Sequence, residues 1–473
     1  VRLISGLALA ALALAGSVLH AQPGNPIQIE NAKRGTTAWR IRLVAQHALE
    51  GCASEASLLP GQALHLHVSS GARFRYRVQV YRIGWYGGTG GRHMRCGRCR
   101  THFGWPRPIP VPDPNSGLLR LSWPVTDVVP IRPDWVSGYY LADLVVRSGR
   151  RSGRGSWVPF VVREPPTRDA AILVQASVNT WQAYNAWGGR SLYWNHTGIG
   201  DNHVSFDRPY NLRGAPTMGG PGANLPPAWE FPLARFLERN GYDVAYTTDI
   251  DTDRNPAELL AHKIVMTSGH DEYWTKAMRD GFTHARDRGV NLVFVGANTG
   301  YWQMRYADNR RTIVEYRNAD RDPQPDPTLK TVKFRDLATP RPECKLLGVQ
   351  YGEIGNADYT AVGAGTTPPD PWFVGTGFKG ADVLHGLVGY EYDTRYDNCP
   401  TRGPSTDLFH ATIPNHLNAD AVRYTAPSGA KVFSAGSVRF AVALDDLTGH
   451  GDVRLQRFMR NALADMLRHP RHH

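Results

Sequence analysis

Over the first third of the chain, apolar and polar positions alternate with a period of two. Ala63–Leu64–His65–Leu66–His67–Val68 and Phe74–Arg75–Tyr76–Arg77–Val78–Gln79–Val80–Tyr81 follow this rule, and Tyr139–Val146 runs apolar at strand length. Clusters of Gly, Pro, Ser and Asp separate these runs, so they read as short strands joined by turns. Strands at this spacing predict a β-sandwich over residues 36–163. The segment Arg163–Glu164–Pro165–Pro166–Thr167–Arg168 reads as a linker, because consecutive prolines bar helix and ladder alike.

Past the linker the period changes. Ala171–Val174, Val244–Thr247, Ile264–Thr267 and Leu292–Gly296 are short apolar runs of the buried-strand type. Between them, Trp229–Asn240 and about Tyr273–Arg288 carry apolar residues at helical spacing, each ending near a glycine. Strands alternating with helices predict right-handed crossovers and a mostly parallel, three-layer α/β domain over 169–300. Residues 301–430, rich in Pro, Asp and Gly, read as a loop-rich insertion with short strands. Val432–Ala435 and the helix Val453–Leu467 then supply the last unit of the sheet over 431–468. At 473 residues the chain is too long for one core, in keeping with this multidomain β plus α/β reading.

The strand predicted at Ile264–Thr267 runs into Ser268–Gly269–His270–Asp271–Glu272, which sets a histidine and two carboxylates on a strand-to-helix connection. In an open parallel sheet ligands bind outside the carboxyl ends of the strands. That edge would also gather Thr180–Gly189, Asp249, Asn298 and Ser437. Asp271 is expected to cap the following helix. There is no Gly-x-Ser-x-Gly elbow, and no cysteine follows a sheet strand, which leaves metal-assisted or general acid–base chemistry.

Residues 1–21 read as a secretory signal peptide, with Arg2, an Ala/Leu run and a small residue at Ala21, so a periplasmic or secreted protein is expected. No later stretch is apolar enough for an integral membrane segment. Export permits disulfides: Cys344 with Cys399 is the expected bridge, with Cys52 joined to Cys96 or Cys99 as a second. A zinc site at Cys96 and Cys99 with His93 or His102 lacks a second ligand pair at finger spacing. The formal charge is +12, and eight lysines leave the other 46 of 54 basic residues as arginine. These arginines are scattered along the sequence without a nucleic-acid motif, so no nucleic-acid partner is expected.

Several motifs in order are shared with one family. Tyr81–Gly88, Gln182–Gly189, Phe206–Tyr210, Gly241–Val244, Gly269–Trp274 and Gly296–Asn298 together resemble the N,N-dimethylformamidase large (beta) subunit family. The resemblance implies a sandwich beside a sheet like that of class I glutamine amidotransferases. It also implies a mononuclear Fe3+ held by two tyrosine phenolates and one glutamate. On the matching motifs, Glu272 is the carboxylate ligand, and Tyr184 and Tyr210 are the phenolates, with Tyr193 a rival to either. His270 is the neighbouring catalytic histidine, Asn298 the active-site amide, and Glu391 in Gly389–Tyr–Glu–Tyr392 a further catalytic carboxylate.

The implied activity is hydrolysis of an amide C–N bond in a small-molecule or other amide-containing substrate. A small accessory subunit or a homo-oligomer is the implied partner. The alternative is a non-enzymatic exported protein that grips a ligand such as a glycan in an aromatic cleft of Trp181, Tyr184, Trp187 and Trp194.

Overall fold

The structure is a computed structural model and describes residues 24–41, 43–97, 99–195, 200–212, 229–399 and 403–468. The expected signal peptide, the His-rich tail and part of the Asn195–Thr197 segment lie outside them.

The alternating runs fold as two packed sheets. Leu49–Ala53, Ala63–Ser70 and Asp127–Pro130 form one. Ser57–Leu58, Gly155–Val162, Gly138–Val146, Phe74–Ile83 and Gly91–Met94 form the other, and Thr101–Gly104 also pairs with Phe74–Ile83. Leu64, Leu66 and Val68 of the first sheet meet Val78, Val80, Leu144 and Phe160 of the second in a common core. The interleaved polar residues face outward, as the period-two pleat demands.

A nine-stranded sheet dominates the rest. Its order is Val244–Thr248, Ile172–Ala176, Ile264–His270, Asn291–Ala297, Lys431–Ser434, Ala419–Thr425, Ser405–Ala411, Ala357–Thr360 and Val383–Val388. The first five strands are parallel and the remaining ladders antiparallel. Residues 301–430 therefore extend the central sheet by four strands. Helix Lys276–Asp287 packs Met278, Phe282 and Ala285 on Val265, Leu292 and Phe294 of one face. Helices Phe231–Arg239 and Val453–Arg468 pack Phe236, Leu237, Phe458 and Leu463 on the other. Among the described residues, no helix is long and apolar enough to cross a membrane.

Two expectations are corrected. The helix after His270 starts at Lys276, and its cap is Thr275, whose hydroxyl accepts from Met278 N–H at 3.2 Å. Tyr273–Trp274 is held instead as a short strand beside Trp302–Gln303, so Asp271 is no cap. Secondly, Cys96 pairs with Cys99 while Cys52 is a buried free thiol. The Cys52 bridge is thereby excluded, and so is a zinc site at Cys96 and Cys99. The Cys344–Cys399 bridge is present.

Candidate active site

The strand Ile264–His270 ends where two glycines allow backbones to close in. Gly269 has φ +69°, and a Cβ there would meet Trp229 Cβ at 2.2 Å. A Cβ on Gly296, its partner in the next strand, would meet the Gly269 carbonyl oxygen at 2.1 Å. No larger side chain fits either place. Glu272 N–H donates to Thr180 Oγ1 at 3.0 Å, and the Glu272 carbonyl accepts from Tyr301 and Trp302 N–H. The His270–Glu272 connection is thus fixed from both sides, and both side chains are buried.

Tyr193 donates to Glu272 Oε1 at 2.6 Å, and Tyr273 donates in turn to Tyr193. Tyr184 stacks on Tyr193 with ring centres 4.3 Å apart, and its hydroxyl is also directed to Glu272. Tyr193 is partly exposed while its hydroxyl is held between Glu272 and Tyr273. Enclosure and the nearby Glu272 charge hold both phenols well above their ordinary range. Burial and the Glu391 charge push Glu272 up to about 7, against the pull of His270, Tyr193 and Tyr184.

His270 Nε2 lies 3.2 Å from Glu272 Oε2 and 3.0 Å from Glu391 Oε2, and the Tyr390 hydroxyl lies 3.0 Å from Nδ1. Burial alone would depress this imidazole, but the Glu391 and Glu272 carboxylates outweigh it and push the group up to about 9. Asn298 occupies the left-handed region at φ +54°, a conformation Asn tolerates better than most residues. Its N–H donates to Asp393 Oδ1 at 2.8 Å, and its Nδ2 donates to Glu391 Oε2 at 2.6 Å.

The structure thus brings Tyr184, Glu272, His270, Asn298 and Glu391 together. Tyr210 stands apart from Glu272: the charges that act on its buried hydroxyl are Arg311 and Arg208. Tyr193 takes the place beside Glu272. Asp271 turns away, accepting from Gln175 Nε2 at 2.8 Å near the buried Asp249. Ser437 braces the backbone, donating to the Leu387 carbonyl at 2.6 Å. Tyr390 and Tyr273 are contacts that sequence reasoning missed. Tyr390 adjoins Glu391 in the Gly389–Tyr392 motif, and that adjacency was the available signal.

A cavity of about 550 Å³ is lined by Tyr184, Tyr193, Tyr210, Trp187, Trp194 and Glu50, a size that suits small-molecule ligands. Trp181 is buried away from it and donates to Glu230 at 2.6 Å. The four-residue aromatic cleft expected from sequence is accordingly not formed as a unit.

The donor set fits a hard cation. Two phenols and a carboxylate supply hard oxygen ligands, and buried Glu272 Oε2 faces the His270 imidazole at 3.2 Å without a hydrogen bond. Among the described residues no cluster of three His, Cys, Asp or Glu side chains forms a metal site, so the tyrosines decide the fit.

A family model described as N,N-dimethylformamidase beta subunit-like, C-terminal, matches residues 77–453. The N,N-dimethylformamidase beta subunit of an Alcaligenes species is similar, 27% identical over 196 residues. That match covers 34% of this chain and 26% of the relative, so the alignment spans about a quarter of the curated protein.

Proposed function

This chain belongs to the N,N-dimethylformamidase beta subunit-like family, and from that premise we propose that it is a metal-dependent hydrolase of an amide C–N bond. The observation that carries the reading is the Tyr184–Tyr193–Glu272 oxygen cluster beside His270, Glu391 and Asn298. Tyr184, Tyr193 and Glu272 would hold a ferric ion, which supplies Lewis-acid polarisation of a carbonyl and of water. The parallel half of the central sheet is read as the amidotransferase-like catalytic domain. The two disulfides suit an exported protein. An accessory subunit is part of the same reading, since the curated relative is named as a subunit.

The protein's own groups divide the remaining work. Asn298 Nδ2 donates to the oxygen that gains charge as the carbonyl carbon becomes tetrahedral. Glu391 accepts a proton from the attacking water, and His270 delivers a proton to the departing nitrogen. The products are a carboxylic acid and an amine, with one water consumed. Tyr390 keeps the imidazole oriented through Nδ1.

The test is purification followed by metal analysis, visible absorption and amine release from N,N-dimethylformamide and bulkier N-substituted formamides. Coloured, iron-bearing protein that releases amine is expected. Colourless protein that neither retains iron nor gains activity from it would remove the metal from the proposal. Failure to release amine from any amide would remove the reaction.

A further inference from the structure

The sandwich region carries a charge equal to that of the entire chain. Residues 36–163 hold 18 arginines, no lysine and six acidic residues, a surplus of +12 against +12 for all 473 residues. Scattered in sequence, many of these arginines are gathered by the fold. On the outward face of the six-stranded sheet, Arg75 and Arg77 are exposed while Tyr76 and Val78 turn inward. Arg75 stands opposite Phe103 on one side, and on the other its carbonyl accepts from Arg147 N–H. The hairpin beyond Arg147 adds exposed Arg150, Arg151 and Arg154. Arg73 completes the group, its guanidinium 4.6 Å from the Phe103 ring centre and 4.8 Å from that of Trp105.

The acids of the region leave this patch uncompensated. Glu50 accepts from Trp187, Glu55 pairs with His65, Asp113 accepts from Ser116, Asp127 pairs with His102, and Asp134 pairs with Arg132. Asp143 is buried, and desolvation holds it well above its ordinary range. The patch is also bordered by apolar side chains in solvent. Phe103 is 41% and Trp105 48% exposed, and the proline-rich run that follows presents Ile109 at 52% and Val111 at 91%. Basic and aromatic groups thus share this face, and exposed aliphatic side chains follow on the run that leaves it at Trp105.

We propose that this face docks on an anionic phospholipid bilayer. Guanidinium groups pair with lipid phosphates. Trp105 and Phe103 are suited to headgroup depth, and Ile109 and Val111 to the acyl boundary. A nucleic acid would engage the arginines and the rings, but it offers nothing apolar to Ile109 and Val111. These exposed aliphatic side chains, four and six positions beyond Trp105, therefore favour the bilayer.

The full-length protein is to be sedimented with vesicles of phosphatidylcholine alone, or with about one third phosphatidylglycerol, at low and high salt. Binding only to the anionic vesicles, lost at high salt, is expected. Arg75→Glu with Arg77→Glu should weaken partition by at least about tenfold. Trp105→Ser with Val111→Ser should weaken it without changing the charge. Both pairs are at the surface, and unchanged thermal unfolding of each variant confirms the fold. Equal sedimentation with neutral vesicles, no sedimentation, or indifference to both variant pairs overturns the proposal. Tighter binding of a DNA or RNA oligonucleotide than of vesicles at matched salt overturns it as well.

Discussion

Arg82 in the sandwich and Glu238 in the helix Phe231–Arg239 form a bidentate ion pair, with bonds of 2.7 and 2.9 Å between fully buried side chains. It ties the two halves of the molecule together. Tyr246 adds a third bond to Glu238, and the Ser137 carbonyl accepts from Arg82. Removing one partner strands a buried charge, so Glu238→Ala should destabilise the protein by about 3–5 kcal/mol. Arg82→Met with Glu238→Leu, which removes both charges, should cost less. Urea denaturation of the two variants checks the difference.

The placement of the tyrosines yields a second expectation. Tyr184→Phe and Tyr193→Phe should each lose most of the retained iron and its visible absorption, because the Tyr193 hydroxyl bonds Glu272 and Tyr184 is stacked on Tyr193. Tyr210→Phe should keep both, because the charges around its hydroxyl are Arg311 and Arg208 and not Glu272. Metal analysis of the three purified variants, with circular dichroism to confirm folding, decides which phenols matter.

Asn298 does two things at once: it holds a left-handed turn and presents an amide. Asn298→Gly keeps the turn and loses the donor, so kcat for amide hydrolysis should fall about 100- to 1000-fold. Stability should change little, because Gly adopts positive φ without strain. A large loss of stability with unchanged kcat would make the residue purely structural.

Glu230 sets a pH dependence away from the reacting groups. Burial pushes its carboxyl up to about 8, against the hydrogen bonds donated by Tyr139 and Trp181. Between pH 4.5 and 8 the folded protein therefore holds a proton that the unfolded chain has released. The stability associated with that proton is complete below about pH 4.5 and is lost as pH rises through 8. Wild-type stability should accordingly decline across this window by up to a few kcal/mol, and Glu230→Gln should flatten the decline. Chemical denaturation at a series of pH values measures it.

Cys52 is the free thiol, and burial pushes it up to about 12. Thiols react as thiolates. A colorimetric thiol titration of the native protein near pH 8 should find none, and the denatured, unreduced chain should show one. Two or more would mean that a bridge is open.

The local pattern of the chain carried much of this architecture. The alternation in Ala63–Val68 and Phe74–Tyr81 became sheet, and the helical spacing of Leu233, Phe236 and Leu237 became helix, because each is decided by which face is buried. Long-range pairing was not readable in the same way. Tyr273 and Trp274 have helical spacing relative to Met278, yet their ladder with Trp302–Gln303 delays the helix. The same limit applies to the site. His270 and Glu272 lie within one short motif, whereas the choice between Tyr193 and Tyr210 depends on how distant loops fold back. Tyr390 reaches His270 across 120 positions, a distance that no local pattern encodes.

The strand Lys431–Ser434 lies between Asn291–Ala297, which leads into Asn298, and the antiparallel strands of the later segment. Tyr392 bridges to Ser437, and Asp393 N–H donates to the Gly436 carbonyl, so Glu391 is anchored just beyond that strand. During synthesis the polypeptide bearing His270, Glu272 and Asn298 emerges well before the residues that fasten Glu391 beside them. Assembly of the full cluster is therefore postponed until the segment around Ser437 has been made, and a product truncated before it lacks the anchor of Glu391 even where its earlier strands have paired.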